Sequence, residues 1–157
     1  MIRPRFSALK WSFPRTADRE TLFADLGWND LVSNPAYLDT CAIRMSYGLL
    51  LAGVALPGAR MKAKGTTIAG KRIEPGQAKL SAILKRIWGA PEVYRGEPAA
   101  RKGIGKRQGV VSFFRIHGIS GIAGGHIDLV WPGDNGFADC ARSCYFSAAE
   151  VWFWPLT

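Results

Sequence analysis

Long apolar segments are missing from this 157-residue sequence, and their absence excludes one class of protein. The run LLLA at residues 49–52 is as long as any uninterrupted apolar run, whereas a membrane-spanning helix needs roughly 20 apolar residues. The basic N-terminal stretch MIRPRFSALKWSFPR also lacks a continuous apolar segment, which predicts that there is no secretory signal peptide. We therefore expect no insertion into a membrane and no use of the general secretory route.

Acidic residues are also scarce. The sequence has 12 Asp and Glu but 21 Lys and Arg, which gives a net charge of +9. Such a balance favours an anionic partner, such as nucleic acid, an anionic membrane surface or an anionic cell-wall polymer. Hydrophobic residues make up 48% of the chain, which is ordinary for a globular protein. The length predicts a single domain over residues 1–157 with a core of its own.

Cysteine is limited to Cys41, Cys140 and Cys144. The close pair, spaced CARSC, has two interpretations: half of a zinc site, or a disulfide that closes a tight loop. A zinc site needs further ligands, and the sequence has no second cysteine pair and no clustered histidines, so we expect neither metal nor cofactor. A disulfide is the better interpretation in an oxidising compartment, and it leaves Cys41 as the free thiol.

Helical patterns come first along the chain and strand patterns second. TCAIRMSYGLLLAG predicts an amphipathic helix, with Asp39 or Thr40 as its cap and Gly53 at its end. AKLSAILKRIWG predicts a second helix, residues 17–26 a short one, and RGEPAARKGIGKRQG a basic loop. GVVSFFRIHG and GGHIDLVW then predict strands, with shorter ones at residues 144–146 and 151–154. This order predicts an α+β fold with an antiparallel sheet.

The free thiol at the start of a helix is a candidate nucleophile. Unpaired N–H groups and the helix dipole favour a thiolate there, and the same N–H groups suit an oxyanion. The base has two candidates, His117 and His126. We favour His126 because it follows two glycines and opens a strand, on the face that it shares with Asp128 and Val130. The ordinary alternative for each of these side chains is a purely structural role.

A third residue is needed to hold the imidazole, and the candidates are Asp128, Asp134 and Asp139. Asp128 is two residues from His126 on the same strand, where we expect its side chain to lie alongside the histidine rather than to reach back to the ring. Asp139 follows the turn PGDNG and is placed to enter the next strand beside His126. We predict Asp139 as the third catalytic residue.

The motifs together resemble a known family. Thr40 followed by CAIRMSYGLL, then GGHIDLVW, CARSCYF and the terminal VWFWPL, with RPRFSALKWSF near the start, resemble the fourth family of type VI secretion amidase effectors. These are papain-like cysteine peptidases of the NlpC type, and the resemblance covers nearly the whole chain. It implies a helix carrying the nucleophilic Cys, packed on an antiparallel sheet that carries the His.

The resemblance also implies a reaction and partners. Such effectors hydrolyse the bond between D-glutamate and meso-diaminopimelate in peptidoglycan stem peptides, with Cys41 matching the nucleophile and His126 the base. The family's acid lies near the cysteine pair: aligning the acid gives Asp139, and aligning the cysteines puts Arg142 in its place. Either the cysteine pair has shifted or Asp128 has taken over the role, and we keep Asp139. The family further implies delivery by the type VI machinery into the periplasm of a rival cell, and a cognate immunity protein.

Two other functions are compatible with the residues. The first is a basic nucleic-acid-binding domain that contacts phosphates through Arg101, Lys102, Lys106 and Arg107. The second is a cysteine peptidase of the same fold that acts on another amide, such as a protein side chain. DNA binding that survives Cys41→Ala would favour the first, and the products of digestion distinguish the second.

Overall fold

The computed structural model describes residues 2–65, 67–116 and 124–157. Within them, the α-helices are Phe6–Ser12 (α1), Arg19–Leu26 (α2), Cys41–Leu51 (α3), Gln77–Trp88 (α4) and Glu97–Ile104 (α5). The strands are Met61–Lys62 (β1), Arg72–Ile73 (β2), Glu92–Tyr94 (β3), Gly109–Phe114 (β4), Gly125–Pro132 (β5), Ala138–Cys140 (β6) and Glu150–Pro155 (β7).

The main sheet has five strands in the order β3-β7-β4-β5-β6, and every pairing in it is antiparallel. β1 and β2 form a separate two-stranded antiparallel sheet. Helices precede most of the main sheet along the chain, so the predicted α+β fold is confirmed. No described helix is both long and apolar enough to cross a bilayer.

The two faces of the main sheet bury different sets of residues. Because side chains alternate along a strand, Ile127 and Leu129 of β5 face one hydrophobic core, which they share with α3 and α4. Val130 of β5 and Phe113 of β4 face a second core, which includes residues of α5 and β7. The candidate site is positioned by α3, which is buried on one face of the sheet, and by β5, which borders both cores.

α3 is buried around most of its circumference, where it packs on the main sheet. Nine of its eleven residues are buried, and one of them is Arg44. The Arg44 guanidinium donates to Thr40 Oγ1 at 3.0 Å and to the carbonyl oxygens of Pro14 and Ala17 at 2.8 and 2.7 Å. Burial, with the nearby Arg142, lowers the pKa of Arg44 to about 10. These bonds tie the start of α3 to the segment between α1 and α2.

Two of the predicted segments differ in the structure. The interpretation of residues 95–109 as a loop is wrong, because α5 forms there. Pro98 stands in its first turn, where a missing N–H costs nothing, and Glu97 pairs with Arg101 one turn later at 3.0 Å. The prediction of a strand at residues 144–146 is also wrong. The chain turns there, with Ala148 N–H donating to Tyr145 O, and the edge strand is β6 instead.

Candidate active site

Cys41 is the first residue of α3, as the sequence predicts, and it is the free cysteine. Thr40 holds the N-cap position without a side-chain cap, and the Cys41 backbone N–H donates to Asp39 Oδ1 at 3.0 Å. The Cys41 residue is only 5% exposed. The thiol therefore lies at the helix start, with the Asp39 carboxylate at its backbone amide.

The surroundings of this thiol favour its neutral form. Burial raises the pKa of Cys41 far above its ordinary value, and the Asp39 carboxylate raises it further. Hydrogen bonds from the backbone N–H groups of Ile127 and Ala42 act in the opposite direction but are smaller effects. The helix start alone therefore does not produce a thiolate in the resting protein.

His126 lies at the start of β5 and is held by Asp128. Its Nε2 is 2.7 Å from Asp128 Oδ2, and its side chain is 13% exposed. An ionised carboxylate can only accept hydrogen bonds, so this contact requires the tautomer with hydrogen on Nε2. The lone pair is then on Nδ1, where the ring can accept a proton.

The Asp128 carboxylate is fully buried and accepts from three backbone amides as well as from the ring. Leu129 N–H donates to Oδ1 at 2.7 Å, and the amides of Arg142 and Ser143 donate to Oδ2 at 3.1 and 3.0 Å. Buried charges are tolerated when they are satisfied in this way. Asp128 is therefore suited to fix the orientation and tautomer of His126.

Aromatic rings complete the surroundings of the imidazole. Phe113 of the neighbouring strand is stacked parallel to His126, with ring centroids 6.2 Å apart and planes at 11°. Tyr145 approaches the same ring edge-on, at a centroid distance of 5.2 Å. The sequence signal for Phe113 is its place in a period-2 run, but nothing local indicates which residue it faces across the sheet.

The prediction that Asp139 lies beside His126 is wrong. β6 pairs with the last residues of β5, and Asp139 stands opposite Trp131. Trp131 is five residues beyond His126 along the strand, which is roughly 16 Å. Asp128 makes the contact that the sequence analysis assigned to Asp139, because its carboxylate reaches back along the same face of β5.

The remaining sequence candidates lie elsewhere. Asp134 is exposed in the turn after β5, and His117 lies outside the described residues. Arg142 contributes its backbone N–H to Asp128, while its side chain donates to the Arg15 carbonyl at 2.6 Å. Across the described ranges no three His, Cys, Asp or Glu side chains gather as metal ligands do.

Cys140 and Cys144 form a disulfide, which confirms the predicted pairing. The bond closes the loop that contains Arg142 and Ser143, whose amides reach Asp128. The disulfide therefore constrains the loop whose amides bind Asp128, the partner of His126. The loop also explains why no strand continues beyond Cys140, since a five-residue ring cannot stay extended.

Cys41 and His126 both lie near the beginning of β5. α3 packs on β5, and the Cys41 sulfur lies at the amide of Ile127, the residue next to His126. Among the hydrogen bonds of the described residues, the Cys41 backbone N–H donates to Asp39 and the His126 ring bonds to Asp128, and none joins the thiol to the imidazole. Contacts of this kind are often loose without substrate and tighten when it binds.

The α+β fold of this chain also occurs in solved structures. The crystal structure of the type VI effector Tae4 from Enterobacter cloacae is 24% identical, with a TM-score of 0.75 over 99% of this chain and 98% of that chain. A chain of the Tae4–Tai4 effector–immunity complex from Salmonella Typhimurium is 18% identical, with a TM-score of 0.72 over 99% and 100%. These likenesses define the fold.

The family follows from the sequence itself. The model of the Tae4 family, described as type VI secretion system amidase effector protein 4, matches residues 37–154. The chain belongs to this family of amidase effectors. No curated protein matches it.

Proposed function

We propose that this protein is a cysteine amidase that hydrolyses the D-glutamate–meso-diaminopimelate bond of peptidoglycan stem peptides. The observation that supports it most is the His126–Asp128 pair at the start of the strand on which the Cys41 helix packs, in a chain of the amidase effector family. In this proposal Cys41 is the nucleophile, His126 the base and Asp128 the residue that orients the base.

The mechanism uses each of these groups in turn. Nδ1 of His126 takes the thiol proton, and the Cys41 sulfur attacks the γ-carbonyl carbon of D-glutamate. Backbone N–H groups in the first turn of α3 stabilise the oxyanion. The imidazolium then gives its proton to the leaving amine of diaminopimelate, and water, deprotonated by His126, hydrolyses the thioester. Asp128 stabilises the imidazolium while it exists.

The proposed partners follow from the family and from the charge. The net charge of +9 suits an anionic glycopeptide polymer. Because related chains were solved as effector–immunity complexes, we include a cognate immunity protein as a partner of this chain. We also place its action in the periplasm of the target cell, reached through the type VI machinery.

The nucleic-acid alternative receives less support from the structure. Two of the basic residues that it depends on already have acidic partners. Arg101 donates to Glu97 at 3.0 Å, and Arg107 donates to both carboxylate oxygens of Glu92 at 2.8 and 2.6 Å. Paired side chains of this kind leave less positive charge for phosphate contacts.

Digestion of purified peptidoglycan sacculi tests the proposal. We expect the wild-type protein to release muropeptides that end in a free D-glutamate γ-carboxyl, with the matching fragments carrying a free diaminopimelate amine, as measured by mass spectrometry. Cys41→Ala should release none, whereas Trp11→Ala, at a side chain that is 92% exposed on α1, should match the wild type. Products with other new termini overturn the assigned bond, and an active Cys41→Ala variant overturns the nucleophile.

A further inference from the structure

The Asp39 carboxylate interacts with two groups that the proposed reaction needs, the backbone N–H and the thiol of Cys41. Its Oδ1 accepts the backbone N–H of Cys41 at 3.0 Å, a first-turn donor that faces the nucleophile. The same carboxylate lies close enough to the thiol to act on it electrostatically and raise its pKa. Asp39 itself is exposed, whereas Cys41 is buried.

We propose that Asp39 restrains the resting enzyme: its carboxylate covers the first backbone N–H of α3 beside the Cys41 thiol, and substrate must displace it before attack. This inference rests on the proposed function, because it concerns how that site is regulated. No side chain of the core has to move for the release. Rotation about the Cα–Cβ bond of Asp39 carries the carboxylate into solvent.

The charges around Cys41 support this role. From the preceding segment, Asp39 brings a negative charge to the thiol. From α3, the Arg44 guanidinium is directed at a hydroxyl and two carbonyl oxygens instead. From β5, His126 is bonded to Asp128. The charge that acts on the thiol is therefore negative, and it opposes the helix dipole.

The sign of the resulting pH effect is fixed by this arrangement. Burial and Asp39 both raise the pKa of Cys41, so the thiol stays protonated at neutral pH and ionises only at higher pH. Removing the charge of Asp39 lowers the pKa and increases the thiolate fraction at any pH below the midpoint. Burial remains in the variant, so part of the elevation remains too.

The test compares Asp39→Asn with Asp30→Asn by alkylation of Cys41 with iodoacetamide across roughly pH 6 to 10. Asn keeps the size of Asp39 and an oxygen for the Cys41 amide, but it removes the charge. Asp30 is an exposed carboxylate in another turn and controls for net charge. We expect Asp39→Asn to react roughly three- to tenfold faster than wild type at about pH 8, and Asp30→Asn to follow the wild type.

Asp39→Ala tests the covered amide, because it removes the acceptor as well as the charge. We expect this variant to release muropeptides from sacculi at least as fast as the wild type. An Asp39→Asn profile that coincides with the wild type overturns the restraint, and so does a folded Asp39→Ala variant that is tenfold slower. Alkylation needs no cell-wall substrate, so a wild-type protein that fails to cleave sacculi overturns the proposed function alone.

Discussion

Replacing Asp128 by Asn is the sharpest test of the proposal that Asp128 orients His126. The carboxylate accepts from His126 and from the amides of Leu129, Arg142 and Ser143. An amide has one carbonyl oxygen, so its NH₂ group must face at least one of these donors and leave a buried N–H unpaired, which costs about 1–3 kcal/mol. If the NH₂ group donates to Nε2, the ring proton moves to Nδ1, the atom that should accept the thiol proton. We therefore expect kcat for muropeptide release to fall by roughly 10²–10⁴-fold, about 2.7–5.4 kcal/mol in the barrier.

The assay pairs this turnover with urea denaturation of the same preparations, so that lost activity is not confused with lost folding. Asp139→Asn is the matched control, since it makes the same chemical change at an exposed position on β6, opposite Trp131. It should keep wild-type activity and stability. If Asp139→Asn loses turnover while a folded Asp128→Asn variant keeps it, the role assigned to Asp128 is refuted.

Two further predictions concern the surroundings of this pair. Replacing both Cys140 and Cys144 by Ser opens a loop with a sequence separation of 4 and should cost about 2 kcal/mol. Thermal denaturation should then show a Tm lower by about 4–8 °C, and dithiothreitol should lower the Tm of the wild type but not of the variant; an unchanged Tm would contradict this. In Gly125→Ala, the new Cβ would overlap Gln77 Oε1, and Gln77 is held by a bond to Ser112 Oγ at 2.7 Å. We expect a loss of about 1–3 kcal/mol in urea denaturation, largely relieved by adding Gln77→Ala, and additive losses in the double variant would count against the overlap.

The helix that carries Cys41 and the strand that carries His126 could be predicted from the sequence because their signals are local. The apolar positions of α3 recur one turn apart, and β4 and β5 are short runs rich in apolar residues that begin at glycines, so each pattern has one regular solution. Cys41 and His126 then follow from chemistry, since few residues can act as nucleophile or base. The disulfide followed from the spacing of Cys140 and Cys144 together with the lack of further zinc ligands in the sequence.

The choice of aspartate could not be predicted, because it depends on contacts between distant segments. The pairing of β6 with the far end of β5 is set by the turn at residues 133–137, and it carries Asp139 away from His126. The amides that allow Asp128 to be buried come from residues 142 and 143, in a loop bent by the disulfide. Neither feature has a signature near residue 128. The effect of Asp39 on the thiol was likewise missed, because Asp39 was considered only as a helix cap.

The division of the interior into two cores has a consequence for how such an enzyme diverges. The proposed nucleophile Cys41 belongs to the core between α3 and the sheet, whereas the Phe113 ring that stacks on the proposed base belongs to the core on the other face. Substitutions in one core that lie more than about 10 Å from the residues of the other should add independently. Mutational drift on the two faces therefore needs little mutual compensation, which fits a fold that persists among chains only 18–24% identical.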